Sequence, residues 1–317
     1  MHPLGPFLST NLALYFHEVP SIEWFRSTLE AVRSVYRFIS IQDVEVYFYE
    51  DKKFNNCCLI TFDDGCRSFY ERAFPVLKEM NVPAVIFVSP KIIGKGLNYW
   101  FQELRCIKTL LGDTLIKEAV CAATNCDIAN IGKYDIFSIF KRLKIKDILC
   151  IVESIKEKHK ISVDRNCNIT ESELRGLRSS GLISIGAHTM NHPILSNETD
   201  QDAEWEIRES VRELSQMINE EVRYFAYPNG KAGLDYSERE QLALQENGVK
   251  LAFTTHTGFF DTKMNPLAIP RGGFSGVKKE ESTTWVLARL LLIPIWDKIR
   301  RGVEEKERCE LKSMSFP

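Results

Sequence analysis

Five short apolar runs in this chain each lead into residues that a buried strand has no use for. "NLALYF" (Asn11–Phe16) leads into His17, and "CLITF" (Cys58–Phe62) into Asp63 and Asp64. "LISIGA" (Leu182–Ala187) leads into His188, "VRYFAY" (Val222–Tyr227) into Pro228, Asn229 and Gly230, and "KLAFTT" (Lys250–Thr255) into His256. A further run, "PAVIFV" (Pro83–Val88), also reads as a strand. None alternates strictly, as expected of strands buried on both faces. Helical stretches separate them: Ile22–Val35 with Ser21 as N-cap, Ser68–Met80 with Pro75 as an interruption, Asp202–Ile218, and Ser237–Asn247. Repeated strand–helix units predict a parallel sheet with helices outside. In such folds active groups collect at the C-terminal ends of strands. Four of the six histidines fall there.

One region breaks the rhythm. From about Tyr99 to His159 the pattern is helical with no convincing strand, which predicts a helical insertion. After it, Thr170 and Glu173 have capping-box spacing at the start of a helix that Gly181 closes. The chain's 317 residues, 44% hydrophobic and 26% charged, can bury a sizeable core. With 41 basic against 43 acidic residues there is no basic excess, so no nucleic-acid partner is expected. The first residues show no basic leader or cleavage pattern. The nine cysteines are odd in number and lack CxxC spacing. Both features predict reduced thiols and a cytoplasmic location.

"HTMNH" places His188 and His192 four residues apart, with Pro193 favouring a tight turn over a helix. Two imidazoles and a carboxylate form a common divalent-metal set with an open position for water. A pair of surface histidines fits the same spacing. Asp63-Asp64 alone reads equally as a solvated turn or a helix cap. Together the motifs say more. Side chains of neighbouring residues diverge, so one carboxylate can hold metal while the other approaches a water.

"TFDDG", "HTMNH" and "YFAYPNG", in that order at strand ends, resemble the polysaccharide deacetylase family, also called the NodB-homology or carbohydrate esterase 4 family. The resemblance spans about Asn11 to Phe274. It implies a deformed (β/α) barrel with fewer units than eight: a single catalytic domain over 1–317, a helical insertion over 96–168, and a C-terminal amphipathic helix and tail over 280–317. It implies Asp64, His188 and His192 as metal ligands, Zn2+ as the first candidate among divalent ions, and Asp63 as the catalytic base. Two departures stand out. The family's third motif carries an arginine, whereas this chain has Ala226-Tyr227-Pro228-Asn229; a backbone N–H of Asn229 can still serve an oxyanion. The family's C-terminal Leu-x-His is replaced by "LAIPRGGF", with Arg271. "LYFHEV" is similar to a segment of the poly-N-acetylglucosamine deacetylase branch, which implies His17 as the general acid, with His256 as runner-up. Arg271 would then orient Asp63 in place of the missing motif arginine.

The implied reaction removes an N-acetyl group from an acetamido sugar, with Asp63 taking a proton from water and His17 giving one to the leaving amine. The implied partner is an acetamido-sugar glycan, or a lipid-linked or nucleotide-linked precursor in surface-polysaccharide assembly. Tyr99 and Trp100, opening the insertion, serve either as a substrate wall or as its hydrophobic anchor. Residues 283–302, apolar with two tryptophans and a basic end, read either as a helix packed on the barrel or as a peripheral contact with the inner face of a membrane. Two other functions fit the same motifs: an amidohydrolase for a non-sugar C–N bond, and a silent glycan-binding protein.

Overall fold

The structure, a computed structural model, describes residues 10–50, 52–274, 286–290 and 302–313. Its strands are β1 (Leu12–Phe16), β2 (Arg37–Ile39), β3 (Cys57–Asp63), β4 (Ala84–Val88), β5 (Ile183–Ala187), β6 (Tyr224–Ala226), β7 (Leu251–Phe253) and β8 (Gly272–Gly273). They run in the order β7-β6-β5-β4-β3-β1-β8, and β2 pairs with β3. Every strand pairing is parallel. The chain from Ile269 to Gly273 joins the two ends of this sheet. Ile269 bridges to Phe253 in β7, and Gly272 pairs with Leu14 in β1. The result is the deformed (β/α) barrel that the motifs imply.

Strand parity divides the core. Leu12, Leu14 and Phe16 of β1, Cys58, Ile60 and Phe62 of β3, and Ile183, Ile185 and Ala187 of β5 belong to the outer core, under the helices. Ala13, Leu59, Val85, Phe87, Ala226 and Phe253 belong to the inner core. Each fully buried Leu, Ile, Val or Phe among them is worth roughly 1.5–3 kcal/mol. On the inner parity β1 continues to His17, β3 to Asp63 and β5 to His188. The period of two therefore delivers these groups to the barrel mouth. Gly186 belongs to the same inner row. A Cβ there would lie 2.4 Å from the Phe87 ring, so only glycine lets that ring fill the barrel.

The helices lie where the apolar periodicity puts them, with local corrections. Ser21 caps Ile22–Arg33, and Thr170 with Glu173 forms the expected capping box on Glu171–Ser179. The stretch expected as one helix from Ser68 is two pieces. Phe69–Ala73 winds wide, with the Phe74 N–H bonding to the Phe69 carbonyl. A new helix, Phe74–Met80, then starts with Pro75 in its first turn, where the missing N–H costs nothing. Strands β2 and β8 and the helix Ile41–Tyr49 had no counterpart in the sequence reading.

Between β4 and β5 lie the helices Trp100–Thr124, Ile128–Ile131, Ile136–Phe140 and Ile145–His159. They share a separate core that includes Trp100, Leu104, Ile116, Phe140 and Ile148. Leu311, from the C-terminal helix Val303–Ser313, completes it. Val286 and Leu290 pack into the outer barrel core. The rest of 283–302, apart from Gly302, lies outside the described residues, including the tryptophans that suggested a membrane surface. Among the described residues no helix is long and apolar enough to cross a membrane.

Candidate active site

Asp63 is the last residue of β3 and is 2% exposed. Its carboxylate is held in a fork: Arg271 donates from Nη1 to Oδ1 and from Nη2 to Oδ2, each at 2.8 Å. The guanidinium is fully buried. Its Nη1 also reaches Thr61 Oγ1 at 3.0 Å, its Nε reaches the Thr254 carbonyl at 2.9 Å, and the Tyr15 ring lies 4.8 Å away. Burial alone would raise the Asp63 pKa. The Arg271 charge and hydrogen bonds, with the nearby His188 and His17, together outweigh it and bring the carboxyl down to about 2. Arg271 stands on the segment that closes the sheet, so barrel closure itself puts the cation under the β3 carboxylate.

Asp64 has the opposite parity and would face the outer core if β3 continued. Instead its backbone turns left-handed, at φ 70°, and keeps the carboxylate at the mouth. Asp64 Oδ1 lies 3.5 Å from His188 Nε2 and 3.6 Å from His192 Nε2. Asp64, His188 and His192 each offer one ligand atom within 4.8 Å of the others, and all three are buried. Asp64 Oδ1 has no hydrogen-bond partner among the described residues. Burial, and then the Asp63 charge, push the Asp64 pKa well above the carboxylate range. Burial lowers His188 to about 4 and His192 well below its ordinary value. Two neutral imidazoles and an orphaned buried carboxylate oxygen are a donor set short of one cation. These residues could hold a divalent ion.

The histidine turn is braced from two sides. His188 Nδ1 lies 2.6 Å from the Ala226 carbonyl, which leaves Nε2 as the nitrogen facing Asp64. Thr189 and His192 both have positive φ. The buried Glu206 carboxylate holds this turn by accepting the Met190 and Asn191 N–H groups at 2.8 and 2.9 Å. From the insertion, Trp100 Nε1 donates to the His192 carbonyl at 2.9 Å. Neither brace was foreseen. Glu206 sits in an ordinary amphipathic helix and nothing in its spacing marks it.

The other expected site residues divide. His17 lines the cavity at the end of β1, partly exposed, with Nε2 3.9 Å from Asp64 Oδ2. Burial lowers its pKa and the Asp63 charge opposes that. His256 does not line this cavity, and its Nε2 accepts the Ala232 N–H at 3.1 Å. Pro228 is buried, and its carbonyl accepts the Gly230 N–H at 2.7 Å. That tight turn puts Asn229, at φ 58°, on the cavity wall. Tyr99 is fully buried with its hydroxyl accepting the Ser89 N–H, and Trp100, 2% exposed, stacks on Phe140. Tyr99 is enclosed by protein, whereas Trp100, although packed on Phe140, also lines the cavity. The neighbouring Phe101 is half-buried on the cavity wall, 4.9 Å from the His192 ring. The cavity holds about 770 Å³, and Arg105, Lys141, Glu304 and Arg308 add walls from the insertion and the C-terminal helix.

A family model described as polysaccharide deacetylase matches residues 51–120 and 127–252. The chain belongs to the polysaccharide deacetylase family. The matched residues include Asp63, Asp64, His188, His192 and Asn229, and they leave out His17 and Arg271. The putative polysaccharide deacetylase YxkH of Bacillus subtilis (strain 168) is 24% identical over 224 residues, covering 70% of this chain and 53% of that protein. The chain thus spans about half the length of this relative. In fold it is similar to IcaB from Ammonifex degensii, with a TM-score of 0.58 at 19% identity over 89% of this chain and 97% of that one. The Streptococcus pyogenes deacetylase PplD, solved with acetate, gives 0.56 at 16% identity with the same coverage of each chain.

Proposed function

We propose that this polysaccharide deacetylase family member hydrolyses the N-acetyl group of an acetamido sugar in a glycan or a lipid-linked or nucleotide-linked glycan precursor. The work would depend on a divalent ion, zinc first, held by Asp64, His188 and His192. The observation that carries this is the meeting of those three ligand atoms beside a carboxylate clamped by a buried arginine. Bound there, the ion would supply a Lewis acid for the amide carbonyl and lower the pKa of a water toward about 7, which suits a base as weak as Asp63.

The chain's own groups divide the remaining work. Asp63 stays ionised across the working range, and each of its oxygens has a lone pair beyond the one given to Arg271, so it accepts the proton of the attacking water. Arg271 fixes the plane of that carboxylate and so takes the place of the missing motif arginine as a positioning residue. Asn229 stands at the cavity wall with a buried Nδ2 that has no partner among the described residues, and its amide groups are donors for the developing oxyanion. His17, on the far side of Asp64 from the histidine turn, protonates the leaving nitrogen. Phe101 presents an apolar face to the sugar ring.

Acetate release from N-acetylglucosamine oligomers, compared with release from small non-sugar acetamides, tests the function. Turnover confined to the sugars is expected. Faster turnover of the small amides would make the chain an amidohydrolase of another class. Zinc binding with no release from either would make it a binding protein.

A further inference from the structure

The helix that opens the insertion, Trp100–Thr124, breaks at Gly112, where φ is 74°, and then resumes. The resumed stretch packs Ile116 and Val120 into the insertion's core. It ends at Asn125, whose backbone is left-handed at φ 54°. A left-handed residue at a helix end folds the next one back over the last turn. Here the next one is Cys126, and the side chain it meets is Cys121. Their sulfurs lie 3.2 Å apart.

Two further bonds hold this turn. The Asp127 carboxylate accepts the Ala129 N–H at 2.9 Å and so starts the short helix Ile128–Ile131 directly after Cys126. Lys117, one turn before Cys121, donates from Nζ to the Gly132 carbonyl at 2.8 Å. Cys126 is thus fixed from both sides. A disulfide requires the two sulfurs to close by only about 1.2 Å more. Both thiols are half-buried, within reach of a small reagent. A thiol is a weak donor and a weak acceptor, so the reduced contact gives the turn little. A metal does not account for the pair. Among the described residues no third His, Cys or carboxylate joins Cys121 and Cys126 as a ligand.

We infer that Cys121 and Cys126 form a reversible disulfide that pins the end of this helix when the protein meets a small disulfide oxidant such as glutathione disulfide. Burial, and then the adjoining Cys126 thiol, push the Cys121 thiol up to about 12. Cys121 therefore rests protonated, and the first attack belongs to Cys126. The Cys126 sulfur displaces one glutathione and forms a mixed disulfide, and the Cys121 sulfur then displaces the other. The two thiol protons leave with the two glutathione molecules, which are reduced as the pair is oxidised. The closed loop is short, so the gain is small, about 3 °C in Tm. The pair and Trp100 lie on opposite sides of the Gly112 break, so turnover should not change. The inference is independent of the proposed deacetylation.

The test treats the full chain with glutathione disulfide until the exposed Cys150 and Cys309 carry glutathione. Free thiols are then alkylated and the chain is cut with trypsin. Residues 118–133 leave as one peptide, which holds both cysteines and no internal Lys or Arg. We expect that peptide to be two hydrogens lighter than its reduced form, with neither an alkyl group nor glutathione, and to be restored by dithiothreitol. In Cys121→Ala, Cys126 should stop at the glutathione adduct. Oxidised wild type should gain about 3 °C in Tm over its reduced form, and Cys121→Ala treated in the same way should gain nothing. Two alkyl groups, or glutathione on both cysteines, in the wild-type peptide would overturn the disulfide. A crosslink with no gain in Tm, or an equal gain in the variant, would overturn the pinning of the helix.

Discussion

Arg271 and Asp63 lie 208 residues apart in sequence, yet the guanidinium grips both carboxylate oxygens at 2.8 Å inside the barrel. Removing one partner of such a pair leaves a buried charge uncompensated, at a cost of about 3–5 kcal/mol. Arg271→Ala should therefore melt well below wild type and lose activity together. The pH dependence has a definite sign. Asp63's folded pKa, about 2, lies below its ordinary 3.8. The pair's stabilisation is thus present above pH 3.8 and lost as pH falls through about 2. In Arg271→Ala, burial without the cation should raise the Asp63 pKa and move the acid limb of the activity profile upward. Melting and activity profiles from pH 2 to 9 check both. A variant with an unmoved acid limb would show that Asp63 is not the titrating base.

Asp63→Asn removes the base but also spoils the fork, because an amide offers Arg271 one acceptor and one donor. We expect a lowered melting temperature, retained zinc, and acetate release reduced by about 10²–10⁴-fold. Adding Arg271→Met should recover stability without recovering turnover. Recovery of turnover in the double variant would place the base elsewhere.

His17 is assigned as the acid over His256 because it lines the cavity, whereas His256 uses its Nε2 on the Ala232 N–H. His17→Ala should keep its fold and zinc and lose about 10²–10⁴-fold in kcat on an N-acetyl sugar. An activated acetate ester needs no proton on its leaving group, so the variant should cleave it almost as fast as wild type. Equal losses on both substrates would remove His17 from that role.

Glu198 carries a pH effect away from the site. Its Oε1 accepts the Ile145 N–H at 2.7 Å, at the start of an insertion helix. Burial raises its pKa from 4.5 to about 7, against the pull of that N–H. The folded form therefore prefers the proton, and stability is lost as pH rises from about 4.5 through 7. Glu198→Gln keeps the acceptor and drops the charge. At pH 8 it should be more stable than wild type by ~1 kcal/mol, a rise of roughly 2–3 °C, and at pH 4 the two should coincide. Coincident curves across the whole range would show that Glu198 is not buried as a charge.

The barrel was legible because polar residues closing apolar runs are a strong signal of strand ends. Asp63, Asp64, His188 and His192 were found that way. Strand β2, of three residues, and β8, of two, are too short for any period to show. Parity explains His17, Asp63 and His188, but the inward turn of Asp64 depends on a left-handed backbone that an aspartate adopts only in context. The Trp100 bond to the His192 carbonyl joins residues 92 apart in sequence, and the aromatic signal at Tyr99 and Trp100 could not by itself separate an anchor from a sugar platform. The sequence reads as a C-terminal amphipathic helix and tail over 280–317, with its apolar part either packed on the barrel or at a membrane surface. Its Leu311 anchor and Arg308–Asp235 bond, which make it a wall of the cleft, are purely tertiary contacts.

The most direct measurement is acetate release from an N-acetylglucosamine oligomer by the full chain stripped of metal by chelation, then titrated with zinc. Metal content is measured on the same samples, with His188→Ala alongside. We expect no release from the stripped chain and recovery that saturates at one zinc per chain. His188→Ala should bind less zinc and stay inactive. Full release by the stripped chain, or wild-type zinc content in His188→Ala, would contradict a catalytic ion held by Asp64, His188 and His192.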